Sequence, residues 1–281
     1  MATNAQRPLA VVTGASAGIG YELAKQFAAH DFDVIVAAED ERIAEVATEL
    51  QGLGADAEAI QVDLATDEGV ERLYQQLAGR PVDAVALNAG IGAGGAFATD
   101  TDLHDELKLI DLNVRSTVHL AKHVVADMVA RDEGRILFTS SIASTMPGAF
   151  QAVYNASKSF VQSFAVALRE ELKDTGVTIT ALMPGPTDTA FFERADMLDT
   201  KVGQGHKQDP AEVAKIGFDA MMKGEADVVY SLKNKLQVVA SKVLPAQAVA
   251  AAHRKIAQPG SSKEMKKERE RAEAKKDAKE K

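Results

Sequence analysis

The chain has 281 residues, 46% of them apolar, enough to bury the core of one large α/β domain. It contains no cysteine, which removes disulfides, thiolate nucleophiles and cysteine-ligated zinc and is compatible with the cytosol. A formal net charge of -9 repels a polyanion, so no nucleic-acid partner is expected.

Before the first glycine turn there is neither an arginine-rich leader nor the apolar core of a signal peptide, and no run of 18 apolar residues follows. The expected location is therefore cytoplasmic. Residues 9–13 are short and β-branched, TGASAGIG follows over 13–20, and Leu23, Ala24, Phe27 and Ala28 then repeat at helical spacing. In such a strand, turn and helix, Gly14 makes the tight turn, Gly18 admits a phosphate to the backbone, and Gly20 lets helix and strand pack closely; the helix N-terminus faces the anion.

A second strand over 32–37 leads to Glu39, about 20 residues past the turn. Glu39 either holds an adenosine ribose diol or, with Asp40 and Glu41, opens the next helix. A third strand, 57–62, ends in Asp63 and Leu64; Asp63 accepts from an adenine amino group or caps the helix beginning near residue 68. A fourth strand, 82–87, runs into NAGIGAGG, and this polar, glycine-rich break at Asn88, Ala89 and Gly90 argues for close approach of a ligand or loop.

Residues 103–129 carry a long helical pattern with Asn113 inside it, where local preference favours an exposed side chain. A fifth strand, 135–139, ends in Ser140 and Ser141, at the edge where ligands gather in open parallel sheets or in a simple turn. Thirteen residues beyond Ser141, Tyr154 begins a helix whose Phe160, Phe164, Leu168 and Leu172, beside Val161 and Ala165, mark the core face. Lys158 lies four residues after Tyr154, so the two side chains leave one face about 6 Å apart. An ammonium at that distance lowers the cost of ionising a phenol.

A sixth strand, 177–183, exits through PGPTDT, stiffened by Pro184 and Pro186 and turned at Gly185. Residues 191–208 have no firm period, and their Phe191, Phe192, Met197 and Leu198 suit a mobile flap over a partly hydrophobic pocket. A helix from Pro210 and a last strand over 226–230 follow. Over 234–256, Leu236, Val239, Ala240, Val243 and Leu244 form a stripe that continues through Ala248, Val249 and Ala252 beside basic residues. Packing against the body or a partner subunit is the leading expectation for it, ahead of a membrane surface. The end, 261–281, mixes nine basic with six acidic residues and reads as a solvated helix or disordered tail.

Together, TGASAGIG, the NAG at 88–90, Asn113, Ser141, the YNASK of 154–158 and the 184–189 exit resemble the classical short-chain dehydrogenase/reductase family over roughly residues 8–230. The resemblance implies a Rossmann-type, doubly wound α/β fold with about seven parallel strands in the order 3-2-1-4-5-6-7, assembled as a homodimer or homotetramer. It implies that Tyr154 is the general acid/base, that Lys158 lowers its pKa and holds the nicotinamide ribose, that Ser141 binds the reacting oxygen, and that Asn113 fixes a relay water. Gly14, Ala15, Ser16, Gly18, Ile19 and Gly20 would cradle the pyrophosphate of NAD or NADP, and Thr189, with the backbone near Thr187, would hold the carboxamide.

The expected activity is an NAD(P)-dependent oxidoreductase that interconverts an alcohol and a ketone or aldehyde. No metal is implied. Ala17 and Ala38 stand where NADPH users often carry a base, and Glu39 would repel a 2′-phosphate while Arg42 could attract one; the balance tips narrowly to NAD. The expected organisation is one domain over 1–257, with the flap at about 190–209 and the amphipathic extension at 231–257, then a charged tail over 258–281. The rival readings are a cofactor-binding structural or regulatory protein with little catalysis, and a peripheral membrane reductase of a lipid-like carbonyl.

Overall fold

The computed structural model describes residues 7–77 and 79–262. Seven apolar segments pair as one parallel sheet: β1 (Leu9–Thr13), β2 (Asp33–Ala38), β3 (Ala57–Gln61), β4 (Val82–Leu87), β5 (Gly134–Thr139), β6 (Val177–Met183) and β7 (Asp227–Val229). Their order is β3-β2-β1-β4-β5-β6-β7, as the resemblance implied. Helices cover both faces, which is why the central strands read as continuous apolar runs rather than alternating ones.

Alternate strand residues feed two cores. On one face Val11, Ile35, Val85, Ile136 and Phe138 pack against α3 (Asp67–Leu77), α5 (Ser116–Arg131) and α6 (Ala152–Glu171). On the other, Val12, Val34, Val36, Leu137 and Leu182 meet α1 (Gly18–Ala29), α2 (Arg42–Gly52) and α9 (Pro210–Met222). Phe27 of α1 lies edge-on to both Phe32 and Phe218, each at 5.2 Å between ring centroids, and so joins α1 to α9.

Three expectations need correction. The long helix over 103–129 is α4 (Leu103–Ile110) and α5 joined by a π-helical turn, Asp111–Arg115, and Asn113 within that turn is buried rather than exposed. One extra residue in the turn rotates the asparagine inward, where its amide finds partners. On α6 the face turned inward carries Lys158, Val161 and Ala165, and Phe160 is exposed. Leu172 is buried and Phe164 and Leu168 pack against the core, as the apolar period implies, so the correction is confined to Phe160.

The third concerns the C-terminal extension, which forms α10 (Leu232–Val243) and α11 (Ala246–Ala257), broken at Leu244 and Pro245. Asn234 and Val238 of α10 face the body, and Ser241 donates to Thr145 Oγ1 at 2.8 Å. Leu236, Val239, Val243 and Leu244 stay exposed, so the α10 part of the stripe does not pack against the body, whereas Val249 in its α11 part is buried. The flap over 191–208 contains two single turns, α7 (Phe191–Arg194) and α8 (Lys201–Gln204). It is tied down by Phe192, Ala195 and Met197, buried with Ala257 of α11, and by residues 260–262, where the Gly260 N–H meets the Asp199 carboxylate and Ser262 N donates to Asp199 O at 2.9 Å. Most of the charged tail, residues 263–281, lies outside the described residues. Among the described residues no helix is long and apolar enough to cross a membrane.

Candidate active site

The site gathers at the carboxyl ends of β1, β4, β5 and β6, where the strand order reverses and the connections leave on opposite sides. Gly14 (φ 64°) turns the chain out of β1, and a Cβ there would stand 2.8 Å from Ala89 Cα, so the turn and the β4 exit touch backbone to backbone. Gly18 (φ 59°) opens α1 against Thr189, whose Cγ2 would lie 2.8 Å from a Cβ at that position. The residue before α1, Ala17, gives no side-chain cap, and the first turn holds no acid, so the helix N-terminus keeps its N–H groups for an anion.

Asn88 fixes these parts together. Its Nδ2 donates to the carbonyls of Thr13 (3.2 Å) and Gly14 (3.3 Å), and its Oδ1 accepts from Thr139 Oγ1 at 3.0 Å. Thr13 Oγ1 in turn accepts from the backbone N–H of Asn88 and Ala89.

The chemistry-bearing side chains come from β5 and α6. Ser141 Oγ accepts from Ala143 N at 3.1 Å and donates to Pro184 O at 3.4 Å, and its hydroxyl acts to lower the pKa of the Tyr154 phenol. Lys158 is buried, and its Nζ donates to Thr139 O at 2.9 Å. Asn113 Oδ1 accepts from Ile91 N at 2.9 Å, while Nδ2 donates to Ile91 O and Ser157 Oγ. A Cβ at Gly90 would lie 3.1 Å from Asn113 Oδ1 and 3.3 Å from Lys158 Nζ, so any side chain there would press on both.

Burial dominates both titratable groups. The Tyr154 phenol is pushed up to about 12, with the Ser141 hydrogen bond opposing the shift, and the Lys158 ammonium is brought down to about 8. In this structure Lys158 acts on the Thr139 carbonyl rather than on the phenol.

These residues line one cavity of about 810 Å³. Gly14, Ser16, Gly18, Ile19, Glu39, Asp63, Leu64, Asn88, Ala89 and Gly90 form one end; Ser141, Tyr154, Lys158, Pro184, Gly185, Thr187 and Thr189 form the middle. Three of the expected residues stand behind the wall: Ala15 and Gly20 are buried beneath the glycine turn, and Asn113 lies behind Gly90. Asp63 does not cap α3; its carboxylate accepts from Ala65 N at 2.9 Å, and Thr66 Oγ1 accepts from Gly69 N instead.

The far end of the cavity is closed by Met146, Gln151, Phe191, Phe192, Gln237 and His253. The Phe191 ring lies 5.1 Å from that of Tyr154. Sequence reasoning missed Gln237 and His253, because nothing local shows that α10 and α11 return to the cavity. His253 is buried, with Nδ1 3.0 Å from Ala149 O, and burial lowers its pKa.

The family model of the short chain dehydrogenases matches residues 8–198. The chain belongs to this family. It is 32% identical to an uncharacterized oxidoreductase of Staphylococcus saprophyticus over 222 residues, 78% of this chain and 92% of that one. Among solved structures it resembles a short-chain dehydrogenase from Sphingobium yanoikuyae in complex with NADPH, at a TM-score of 0.75 and 26% identity over 85% of this chain and 97% of the other. It also resembles the closed form of a serine dehydrogenase complexed with NADP+, at a TM-score of 0.70 and 27% identity over 79% and 93%. The protein is an NAD(P)-dependent oxidoreductase acting on CH–OH and carbonyl groups by hydride transfer. The residues present fit that cofactor: an uncapped helix N-terminus, a glycine turn that a Cβ would block, and a cavity continuous from Glu39 to Tyr154.

The low Lys158 pKa makes stability depend on pH. Between about 8 and 10.5 the unfolded chain holds the lysine proton and the folded chain does not, so stability rises with pH across that window and the gain is gone once pH has fallen to about 8. Wild type should gain up to roughly 3 kcal/mol relative to Lys158→Met between pH 8 and 10.5 in denaturant unfolding. Parallel profiles for the two proteins would refute a depressed lysine.

Proposed function

We propose that Tyr154 is the general acid/base of an alcohol–carbonyl interconversion, with Ser141 as second hydrogen-bond donor to the reacting oxygen. The observation that carries the reading is that the Ser141 and Tyr154 hydroxyls and buried Lys158 line the same cavity as the Gly14 to Gly18 cradle. The nicotinamide supplies or accepts the hydride at its C4. At neutral pH the phenol carries its proton, which is the form that donates to an oxygen gaining negative charge. Lys158, poised at about 8, can exchange the proton onward, and Asn113, fixed by Ile91 and Ser157, positions the relay behind it. Phe191, Phe192 and Met146 favour a substrate with an apolar body. Tyr154→Phe is expected to lower kcat by about 10²- to 10⁴-fold while leaving dinucleotide affinity little changed in a fluorescence titration; retained turnover would refute the assignment.

The preference between dinucleotides is read as NAD. Glu39 and Asp40 line the ribose end of the cavity, whereas Arg42 does not line it: its guanidinium is held by the Ser16 carbonyl of the glycine turn and lies 5.2 Å from the Tyr21 ring. Lys108 lies 3.4 Å from Glu39, an exposed pairing too weak to cancel its charge. NADH should bind more tightly than NADPH, and Glu39→Gln should tighten NADPH by about tenfold with NADH unaffected. Tighter NADPH binding by wild type, lost in Arg42→Ala, would reverse the preference.

The exposed stripe on α10 favours a second reading, an enzyme that works at an anionic lipid surface. Leu236, Val239 and Val243 project together, and residues 228–263 contain six Lys or Arg and no acid, in a chain that is otherwise acidic. Vesicles containing phosphatidylserine should carry the protein in flotation and phosphatidylcholine vesicles should not, with Leu236→Glu/Val243→Glu abolishing the association. No flotation, or a stripe whose mutation changes only the oligomeric mass, would assign the face to a second copy instead.

A further inference from the structure

Away from the cavity, α3 and α5 pack side by side on one face of the sheet. At the solvent rim of that contact His119 and His123 lie four residues apart on α5, so both rings leave the same side of the helix. Both meet one oxygen of Glu71, which reaches across from α3. His119 Nε2 is 2.7 Å and His123 Nε2 3.0 Å from Glu71 Oε1, and the three donor atoms all lie within 4.8 Å of one another.

Both rings have neighbours behind them. His119 Nδ1 lies 3.6 Å from Asp67 Oδ1, one turn before Glu71 on α3, close enough to become a hydrogen bond on a small ring shift, while Asp67 Oδ2 pairs with Arg115. The His123 ring stacks on Tyr74 at 4.2 Å and 13°, and the Tyr74 hydroxyl donates to Asp127 Oδ2 at 2.9 Å. A carboxylate on the far nitrogen and a fixed ring plane are the features that orient a metal-bound imidazole.

We propose that Glu71, His119 and His123 bind a divalent transition-metal cation of the zinc type, with Asp67 as the group that orients His119. Two imidazoles and one carboxylate suit zinc, cobalt or nickel and disfavour magnesium and calcium, which take oxygen ligands. Zinc bonds of about 2.0–2.1 Å place tetrahedral donors roughly 3.3 Å apart. The present spacings, 2.7 and 3.0 Å, therefore need to open by about half an ångström, within the rotamer freedom of half-exposed side chains. Water completes the fourth position. None of the three ligands lines the catalytic cavity, so the metal is a clip between α3 and α5 rather than a participant in hydride transfer.

The test uses the full-length, tag-free protein, stripped with chelator and dialysed. Calorimetric titration with ZnCl2 should give one equivalent, with CoCl2 also binding and MgCl2 and CaCl2 silent, and zinc should raise the thermal midpoint. His119→Ala and His123→Ala should each abolish the saturable site. Asp67→Asn should weaken it by about tenfold. Glu71→Gln, which keeps the shape and the fold, should also lose zinc while turnover without metal stays at the wild-type level. His30→Ala should bind as wild type. Absence of a saturable zinc site, or one that survives undiminished in Glu71→Gln and in folded His119→Ala/His123→Ala, overturns the proposal and leaves the cluster a hydrogen-bonded contact.

Discussion

The carboxamide of Asn88 spans the place where the sheet changes direction. β1 sends its chain towards β2 and β3, while β4 leads away to β5, β6 and β7, and at their carboxyl ends the two sets of connections part. A gap of this kind would leave strand-end carbonyls without partners and the glycine turn without a backing. Asn88 answers both needs, donating to Thr13 and Gly14 and accepting from Thr139. Thr139 also offers its carbonyl to Lys158, so the glycine turn and the buried lysine hang from neighbouring atoms of β5.

The second constraint is the burial of polar groups beside that gap. An unpaired ammonium in such surroundings costs far more than one hydrogen bond returns, and Lys158 responds by a lowered pKa. Asn113 solves a different problem: a regular helix would turn its amide elsewhere, and the π-helical turn gives up ideal hydrogen bonding locally to aim it at Ile91 and Ser157. The local irregularity supports the site, which is the usual reason such a turn persists.

What the sequence reveals follows from the range of the forces involved. Seven strands are legible because both faces of each central one are covered, leaving apolar runs between turns; Tyr154 and Lys158 are legible because helical spacing alone puts them on one side. Asn113 reads as exposed because its inward turn depends on Ile91 and Ser157, 22 and 44 residues away. The stripe of α10 is a genuine periodic pattern, but periodicity tells which residues share a face and not whether that face meets the body. His253 gives no local signal, since its place at the cavity is created when α11 returns to the flap and to Ala149 before α6.

The docking of residues 260–262 on Asp199 has a consequence for how the molecule is divided. A boundary at residue 257, drawn where apolar character ends, leaves every site side chain in place but cuts behind Ala257 and removes the Gly260 and Ser262 bonds to the loop before α8. The Lys201 N–H would also lose its acceptor, Ser261 Oγ. The stretch of cavity wall at Lys201 and Val202 is thus braced by chain that belongs compositionally to the tail.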